Sequence, residues 1–382
     1  MLRRASQLFA LLLAPVLSLS LPGNALAESG QRWAVNMPQG VTPVSQEIYD
    51  IHMIIFWICV VIGVIVFAIM FYSMFAHRKS RGAVAANFHE NTTAEIVWTI
   101  IPALILVVMA IPATKVIVNA YDTTEAELDI KVTGYQWKWQ YEYLGEDVAF
   151  MSELTTPESE IYNTAPKGEF YLQEVSQPLV IPARTKVRFL ITAKDVIHSW
   201  WVVDLGVKKD AIPGFINETW AYVEEPGIYR GECAELCGKG HAFMPIVVNV
   251  VEPEEYQTWI SEKKVAAAAE RELANKTFTM DELMARGEEA YNRSCAACHM
   301  ANGEGIPGVF PALKNSPIAL GPVEGHLDVV VNGVAGTAMQ AFGGQLSEVD
   351  LAAIITYERN AWGNNVGDQV QPINVLKFKQ GQ

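Results

Sequence analysis

The chain is poor in the residues that usually hold metals: its 382 positions include only five cysteines and seven histidines. Four of the cysteines and two of the histidines fall in two short motifs, and a third histidine, His198, joins the first from upstream. The fifth cysteine, Cys59, sits in an apolar run and reads as a small buried hydrophobe. Positive charge is also scarce. Lys and Arg number 28 against 42 Asp and Glu, a formal charge of −14, which argues against nucleic acid and for a basic partner. No internal repeat is evident. No cluster of histidines falls within the long apolar runs, so those runs build no haem or metal site of their own.

What is present is concentrated. The residues from Cys233, CAELCGKGHAFM, place two thiols, an imidazole and a thioether in one loop, with His198 upstream as a further ligand. Soft thiolates and imidazoles suit copper, and a single-copper electron-transfer centre needs two histidines, one cysteine and a weak methionine. The second cysteine exceeds that need. As thiolates, Cys233 and Cys237 can bridge two metals, with His198 and His241 terminal, one on each ion, and Met244 and the Glu235 carbonyl as weak axial contacts. Charge shared across two bridged ions keeps the geometry nearly constant between redox states, which favours fast one-electron transfer. Gly231, Gly238 and Gly240 let the loop turn tightly. Two plainer readings stand beside this one. Cys233 and Cys237 could pair as a disulfide, His241 being an ordinary surface histidine. Two cysteines and two histidines could also close a tetrahedral zinc site, against which Met244 argues.

Further on, Cys295-Ala-Ala-Cys298-His299 is the C-x-x-C-H attachment sequence of a c-type haem, in which the thiols become thioethers and His299 coordinates iron. A thioredoxin-like dithiol is the alternative, but the adjoining histidine and the lack of a surrounding βαβ pattern oppose it. The sixth iron ligand should be soft and distant in sequence, and Met339 in GTAMQAF qualifies. Met300, next to His299, cannot reach the opposite haem face.

Residues 1–27 combine Arg3 and Arg4, an apolar stretch and Ala25-Leu26-Ala27 before Glu28, the pattern of a cleaved secretory signal, with no lipid-anchoring cysteine. Its removal takes two positive and no acidic residues, moving the charge from −14 to about −16. Two later apolar runs, at 51–74 and 96–118, reach the roughly 20 residues that cross a bilayer and read as a helical hairpin within residues 28–120. The connecting loop carries Arg78, Lys79 and Arg81, against Arg32 alone before the first run, so it should be cytoplasmic and everything after residue 120 outside. A buried hairpin in a soluble protein is opposed by the missing charges of the first run. Pro102 and Pro112 are tolerated where neighbouring helices cover the freed backbone groups. Glu95 stands at the cytoplasmic mouth of the second run, either as a helix cap favoured by the dipole or as a carboxylate kept near the membrane for a function.

Beyond the hairpin the sequence turns to β character. Runs at 128–132, 137–143, 179–192 and 246–251 alternate or are β-branched, broken by Pro and Gly, and a Greek-key barrel over 121–252 is their natural packing. Such a frame holds metal ligands on loops at one end with little motion. Trp137 and Trp139 share one face of a strand, which for aromatic residues usually means core or interface packing. Residues 253–279 are rich in Ala, Lys and Glu, a helical linker tethering the haem-binding region, 280–362. The tail at 363–382 reads as irregular and polar.

Together with GYQWKWQYEY from Gly134 and DVIHSWW from Asp195, the cysteine loop resembles subunit II of the haem–copper cytochrome c oxidases, over about residues 51–251. Residues 280–362, including Tyr357-Glu-Arg-Asn, resemble a small class I cytochrome c. One residue departs from that pattern: proline usually follows the axial methionine, and here it is Gln340. The first resemblance implies a binuclear copper centre, CuA, on a cupredoxin-like barrel, held by His198, Cys233, Glu235 through its carbonyl, Cys237, His241 and Met244. The second implies an all-α domain with covalent haem c on Cys295, Cys298, His299 and Met339. By resemblance also, Trp137 receives electrons from cytochrome c, Asp195 occupies an acidic docking position and Asp210 lies near the subunit boundary. The Glu235 carboxylate would share a magnesium ion with the catalytic subunit, and Glu95 would mark the mouth of a proton-conducting channel there.

The expected architecture is multidomain: a two-helix transmembrane hairpin, a cupredoxin-like Greek-key β-barrel and an all-α class I cytochrome c domain. The expected role is to carry electrons from a reduced cytochrome c through haem and copper to a catalytic subunit I, accompanied by subunit III. Oxygen reduction and proton translocation belong to that assembly. The expected setting is the bacterial inner membrane, with lipid around the hairpin, both redox domains on the periplasmic side and no nucleic acid. Two other classes compete. A copper-free structural subunit, as in quinol oxidase relatives, is opposed by the intact ligand set, and the copper domain of a nitrous oxide reductase by the hairpin.

Overall fold

The computed structural model describes residues 35–381 apart from positions 85, 86 and 88, and the expected signal segment at 1–27 lies outside the described residues. Two helices, α1 (Pro43–Ala76) and α2 (Thr92–Tyr121), are long and apolar enough to cross a membrane, and the most apolar stretch of each is unburied within the chain. At 1.5 Å per residue they run about 50 and 45 Å, longer than a hydrocarbon core of about 30 Å. Caps set their ends. Thr42 Oγ1 accepts from Ser45 N at 3.0 Å with Pro43 opening α1, and Asn91 Oδ1 accepts from Ala94 N at 3.1 Å to open α2. Cys59 departs from expectation: it is exposed on α1, because most of this helix has no packing partner within the chain.

The surplus helix length lies against the β domain. Val41 N donates to Asp204 O at 2.8 Å and Thr42 Oγ1 to Leu205 O at 2.9 Å, while Trp220 Nε1 donates to Asn119 O at 3.0 Å near the end of α2. Asn119 Nδ2 also donates to the Glu47 carboxylate at 3.1 Å, tying the two helices together. The start of α1 and the end of α2 are therefore pinned to the same domain, and the loop with Arg78, Lys79 and Arg81 lies at the far end.

Ten strands follow: β1 (Leu128–Tyr135), β2 (Lys138–Tyr143), β3 (Val148–Ser152), β4 (Leu179–Pro182), β5 (Lys186–Ala193), β6 (His198–Val202), β7 (Val207–Ala211), β8 (Asn217–Tyr222), β9 (Gly227–Cys233) and β10 (Ile246–Val251). They form two five-stranded sheets, β3-β2-β1-β5-β8 and β4-β10-β9-β6-β7. Neighbours are antiparallel except β1 with β5 and β4 with β10, the mixed pairing of a cupredoxin-like half-barrel. Alternation decides what faces inward. In β2, Trp139, Tyr141 and Tyr143 are buried between the sheets while Lys138, Gln140 and Glu142 face out. Burying each large side chain such as Phe189 or Ile191 contributes about 1.5–3 kcal/mol. Two expectations need adjusting. The run at 179–192 is two strands, because Arg184 takes a positive φ of 56° between them. Trp137 lies in the turn before β2 and does not share a strand face with Trp139.

The helical linker is present as α3 (Pro253–Leu273), but its first half is docked: Tyr256 and Ile260 join the β-domain core, and Trp259 lies 5.2 Å from the Tyr143 ring. Four further helices follow, α4 (Met280–Ser294), α5 (Val323–Asn332), α6 (Glu348–Asn360) and α7 (Pro372–Lys379), with a single turn at Ala296–His299. At the closest approach of α4 to α6, a Cβ on Gly287 would meet Ala353 O at 2.2 Å, so only glycine permits it. The tail is not irregular. Pro372 opens α7, Val375 is buried and Phe378 packs against the cluster formed by Leu327, Leu351 and Ile355, a pattern too short to recognise by periodicity.

Candidate metal centre

The neighbouring ends of two strands build the first site. His198 opens β6 and Cys233 closes β9, and these strands pair with Trp200 opposite Cys233. The chain then leaves β9 as a loop, tied back by Ala234 N donating to Ser199 O at 3.0 Å, and presents Cys237, His241 and Met244 before β10 resumes the sheet. The two sulfurs lie 3.8 Å apart as free thiols. Cys233 Sγ is 4.0 Å from His198 Nδ1 and 3.4 Å from Glu235 O. Cys237 Sγ is 3.6 Å from both His241 Nδ1 and Met244 Sδ. The ligand atoms of His198, Cys233 and Cys237 all fall within 4.8 Å of one another, and all three residues are buried.

This donor set fits soft cations. A metal–sulfur distance of about 2.3 Å lets one ion reach both sulfurs at once. Burial pushes both thiols up, yet hydrogen bonds with His198 and with the backbone at Ser199 and Glu235 bring Cys233 below its ordinary value. Burial and the neighbouring Cys233 charge drive Cys237 the other way. The pocket alone therefore favours one thiolate, and a second becomes stable only beside added positive charge. Burial also opposes charge on His198, but Asp195 and Cys233 outweigh it and raise its pKa. His198 Nε2 is 2.9 Å from Asp195 Oδ1, which turns Nδ1 toward the sulfurs, the usual way an outer carboxylate orients a ligating imidazole.

That carboxylate is a feature the sequence reading missed. Its resemblance suggested docking, whereas in the structure its Oδ2 also accepts from Gln136 N at 2.7 Å, and its side chain is 19% exposed. An Asp three residues before a strand-opening His was the available signal. Trp137 is half-buried against the loop: its Nε1 donates to Cys237 O at 3.1 Å, and a Cβ on Gly240 would fall 2.3 Å from its ring, so glycine is required there. Gln136 Nε2 donates to the same carbonyl at 2.8 Å. Trp139 sits beneath, edge-on to His198 at 5.9 Å. Glu235 and Asp210 are exposed. Glu95, far from this site in the first turn of α2, accepts from Asn91 N at 3.3 Å, the geometry of a cap.

The second site lies among the helices. Cys295 packs with Tyr291 and Tyr357, and burial raises its thiol well above the ordinary value. His299 Nδ1 is 2.8 Å from Pro311 O, which leaves Nε2 available to iron. Met339 packs on the other cluster, that of Val330, Val331 and Leu351. α6 contributes to both clusters and so relates the two ligand segments. Val309, Ile318 and Val334, in the loops beside them, are exposed apolar side chains that suit an apolar macrocycle. Thiols, imidazole and thioether thus fit a c-type haem.

The family model of the cytochrome c oxidase subunit II periplasmic domain matches residues 128–251, and that of its transmembrane domain residues 30–116. The model of cytochrome c oxidase, cbb3-type, subunit III matches residues 282–357. A probable cytochrome c oxidase subunit 2 from Rickettsia bellii is 40% identical over 240 residues, 62% of this chain and 87% of that protein. The mitochondrial cytochrome c oxidase subunit 2 of Vigna unguiculata is 37% identical over 247 residues, 63% of this chain and 64% of that protein. A crystal structure of the periplasmic domain of cytochrome oxidase subunit II from Bradyrhizobium japonicum is 39% identical, covering 38% of this chain and 98% of its own at a TM-score of 0.33.

Proposed function

Because the chain belongs to the cytochrome c oxidase subunit II family and carries a C-terminal cytochrome c-type domain, we propose that it is the electron-input subunit of a terminal oxidase. When bound, haem c and a CuA copper pair supply the one-electron chemistry that links reduced cytochrome c to an oxygen-reducing, proton-translocating catalytic subunit. The observation that carries this reading is the convergence of four further donors about two sulfurs 3.8 Å apart. Cys233 and Cys237, His198 and His241, Met244 and the Glu235 carbonyl would hold the copper pair. Asp195 holds His198 in one orientation, and the surrounding sheet keeps water from the buried sulfurs. In the C-terminal domain Cys295 and Cys298 would attach the haem, with His299, oriented by the Pro311 carbonyl, and Met339 as the iron ligands.

The finer assignments follow the same reading. The hairpin crosses a bacterial inner membrane twice, and the domains at about 121–252 and 280–362 stand on its periplasmic side. Subunits I and III are the partners. Glu235 offers its exposed carboxylate to a magnesium ion at the subunit I boundary, Glu95 marks a proton-channel mouth, and Trp137 passes electrons to the copper loop. Metal analysis, electron paramagnetic resonance and the optical spectrum of the matured complex test the proposal. Two coppers with a shared-valence signal and one covalent haem per chain are expected. A single copper, a zinc ion or a metal-free barrel would overturn it.

A further inference from the structure

The outward face of β2 is covered by the C-terminal domain in a regular way. Gln340 Nε2 donates to the Gln136 carbonyl, Lys138 lies 5.8 Å from the Phe342 ring centre, and Gln140 Nε2 donates to the Gly344 carbonyl at 2.9 Å. Each partner is 204 positions further along, so residues 136–140 and 340–344 lie side by side in register, joined by two side-chain-to-backbone hydrogen bonds with the Lys138–Phe342 contact between them. On the other flank of the same turn, Lys239 sits 5.9 Å from the Trp137 ring and 5.4 Å from the Phe310 ring. Phe310 precedes Pro311, the partner of His299, and Gln340 follows Met339. The segment of Met339 and the segment that orients His299 thus both reach the Gln136–Trp137 turn, one directly and one through Lys239.

The amide geometry is determined. The Gln136 carbonyl can only accept, so the Gln340 nitrogen must face it, and Gln345 Nε2 donates to Gln340 Oε1 at 3.3 Å to hold the group that way round. We propose that Gln340 is a positioning residue that couples the cytochrome domain to the copper loop, completing a path of covalent and hydrogen bonds from Met339 through Gln340 and Gln136 to the Cys237 carbonyl. Electron tunnelling decays more slowly through such bonds than across van der Waals gaps. No bond is made or broken along the path and no proton moves: the electron lost on the haem side is gained on the copper side. Gln340 occupies the position where class I cytochromes usually carry proline, which has no side-chain amide to offer. The inference rests on the relay reading above.

The test uses the matured full chain in its oxidase complex. Haem is reduced by a photo-released electron and copper reduction is followed optically in wild type, in Gln340→Leu and in the acceptor-only Gln340→Glu. Both variants should slow the transfer by about ten- to a hundredfold, the scale of a small misplacement, with haem and copper potentials unchanged. Hydrogen–deuterium exchange of residues 136–140 should rise in both, which reads docking independently of turnover. An unchanged transfer rate in the two variants would overturn the inference, whether or not exchange rises. Absence of haem-to-copper transfer in the wild type would instead bring down the relay itself, and this inference with it.

Discussion

The side chains proposed to hold copper stand at strand ends and in a loop stitched to the sheet, with the ligand atoms of His198, Cys233 and Cys237 buried and within 4.8 Å of one another and His198 backed by an outer carboxylate. The side chains proposed to hold haem stand at a one-turn helix and in a loop beyond α5, Cys295 and Met339 packing against two separate helix clusters that α6 bridges. The sheet fixes the first set before any metal arrives, which suits a cofactor held only by coordination and required to keep one geometry. The second set is presented by less constrained segments, and there the proposed thioethers would supply the permanence that the frame does not. A protein can therefore hold a redox centre by rigid scaffold or by bonded attachment, and on the proposed reading this chain does each once.

The contrast can be broken from the copper side most severely. Cys237→Ser removes a bridge and should abolish the shared-valence copper signal while the haem spectrum stays intact; copper retained in its normal form would refute the bridging assignment. Asp195→Ala should weaken copper binding by about 10–100-fold, as loss of an outer ligand-orienting group does, measured by chelator competition. His299 offers no such handle, since its orienting partner is a backbone carbonyl. Met339→Ala should leave haem attached but shift its potential and ligand-field bands, with copper unaffected, and unaltered bands would remove Met339 from the iron. Gly240→Ala should be the mildest, costing about 1–3 kcal/mol of stability as the new Cβ meets the Trp137 ring. A thermal denaturation midpoint unchanged by that substitution would mean the loop is softer than the sheet-held account requires.

The difference between the sites also explains what the sequence revealed. Spacing identified both motifs because the chemistry demands particular residue types at fixed local separations, as in Cys233 with Cys237 and Cys295 with Cys298. Runs of apolar residues identified the hairpin, and alternation located most strands. Long-range geometry was not legible. Nothing local says that β6 and β9 are neighbours, that Asp195 turns inward to His198, or that Gln340 meets a carbonyl 204 residues earlier. Cys59 and the α7 segment were misjudged for a related reason. Burial depends on which surfaces the fold brings together, and a two-helix hairpin leaves an apolar residue such as Cys59 exposed within the chain while a short polar tail can find a groove.

The central claim is that electrons reach the copper pair through this chain's own haem. Rapid mixing of reduced cytochrome c with the matured, oxygen-free complex tests it, following haem and copper absorbance together in wild type and in a Cys295→Ala/Cys298→Ala chain lacking the haem. The account predicts that the haem is reduced first, that copper reduction tracks haem reoxidation, and that the haem-free chain takes up electrons far more slowly. Copper reduced at the full rate without the haem would contradict it.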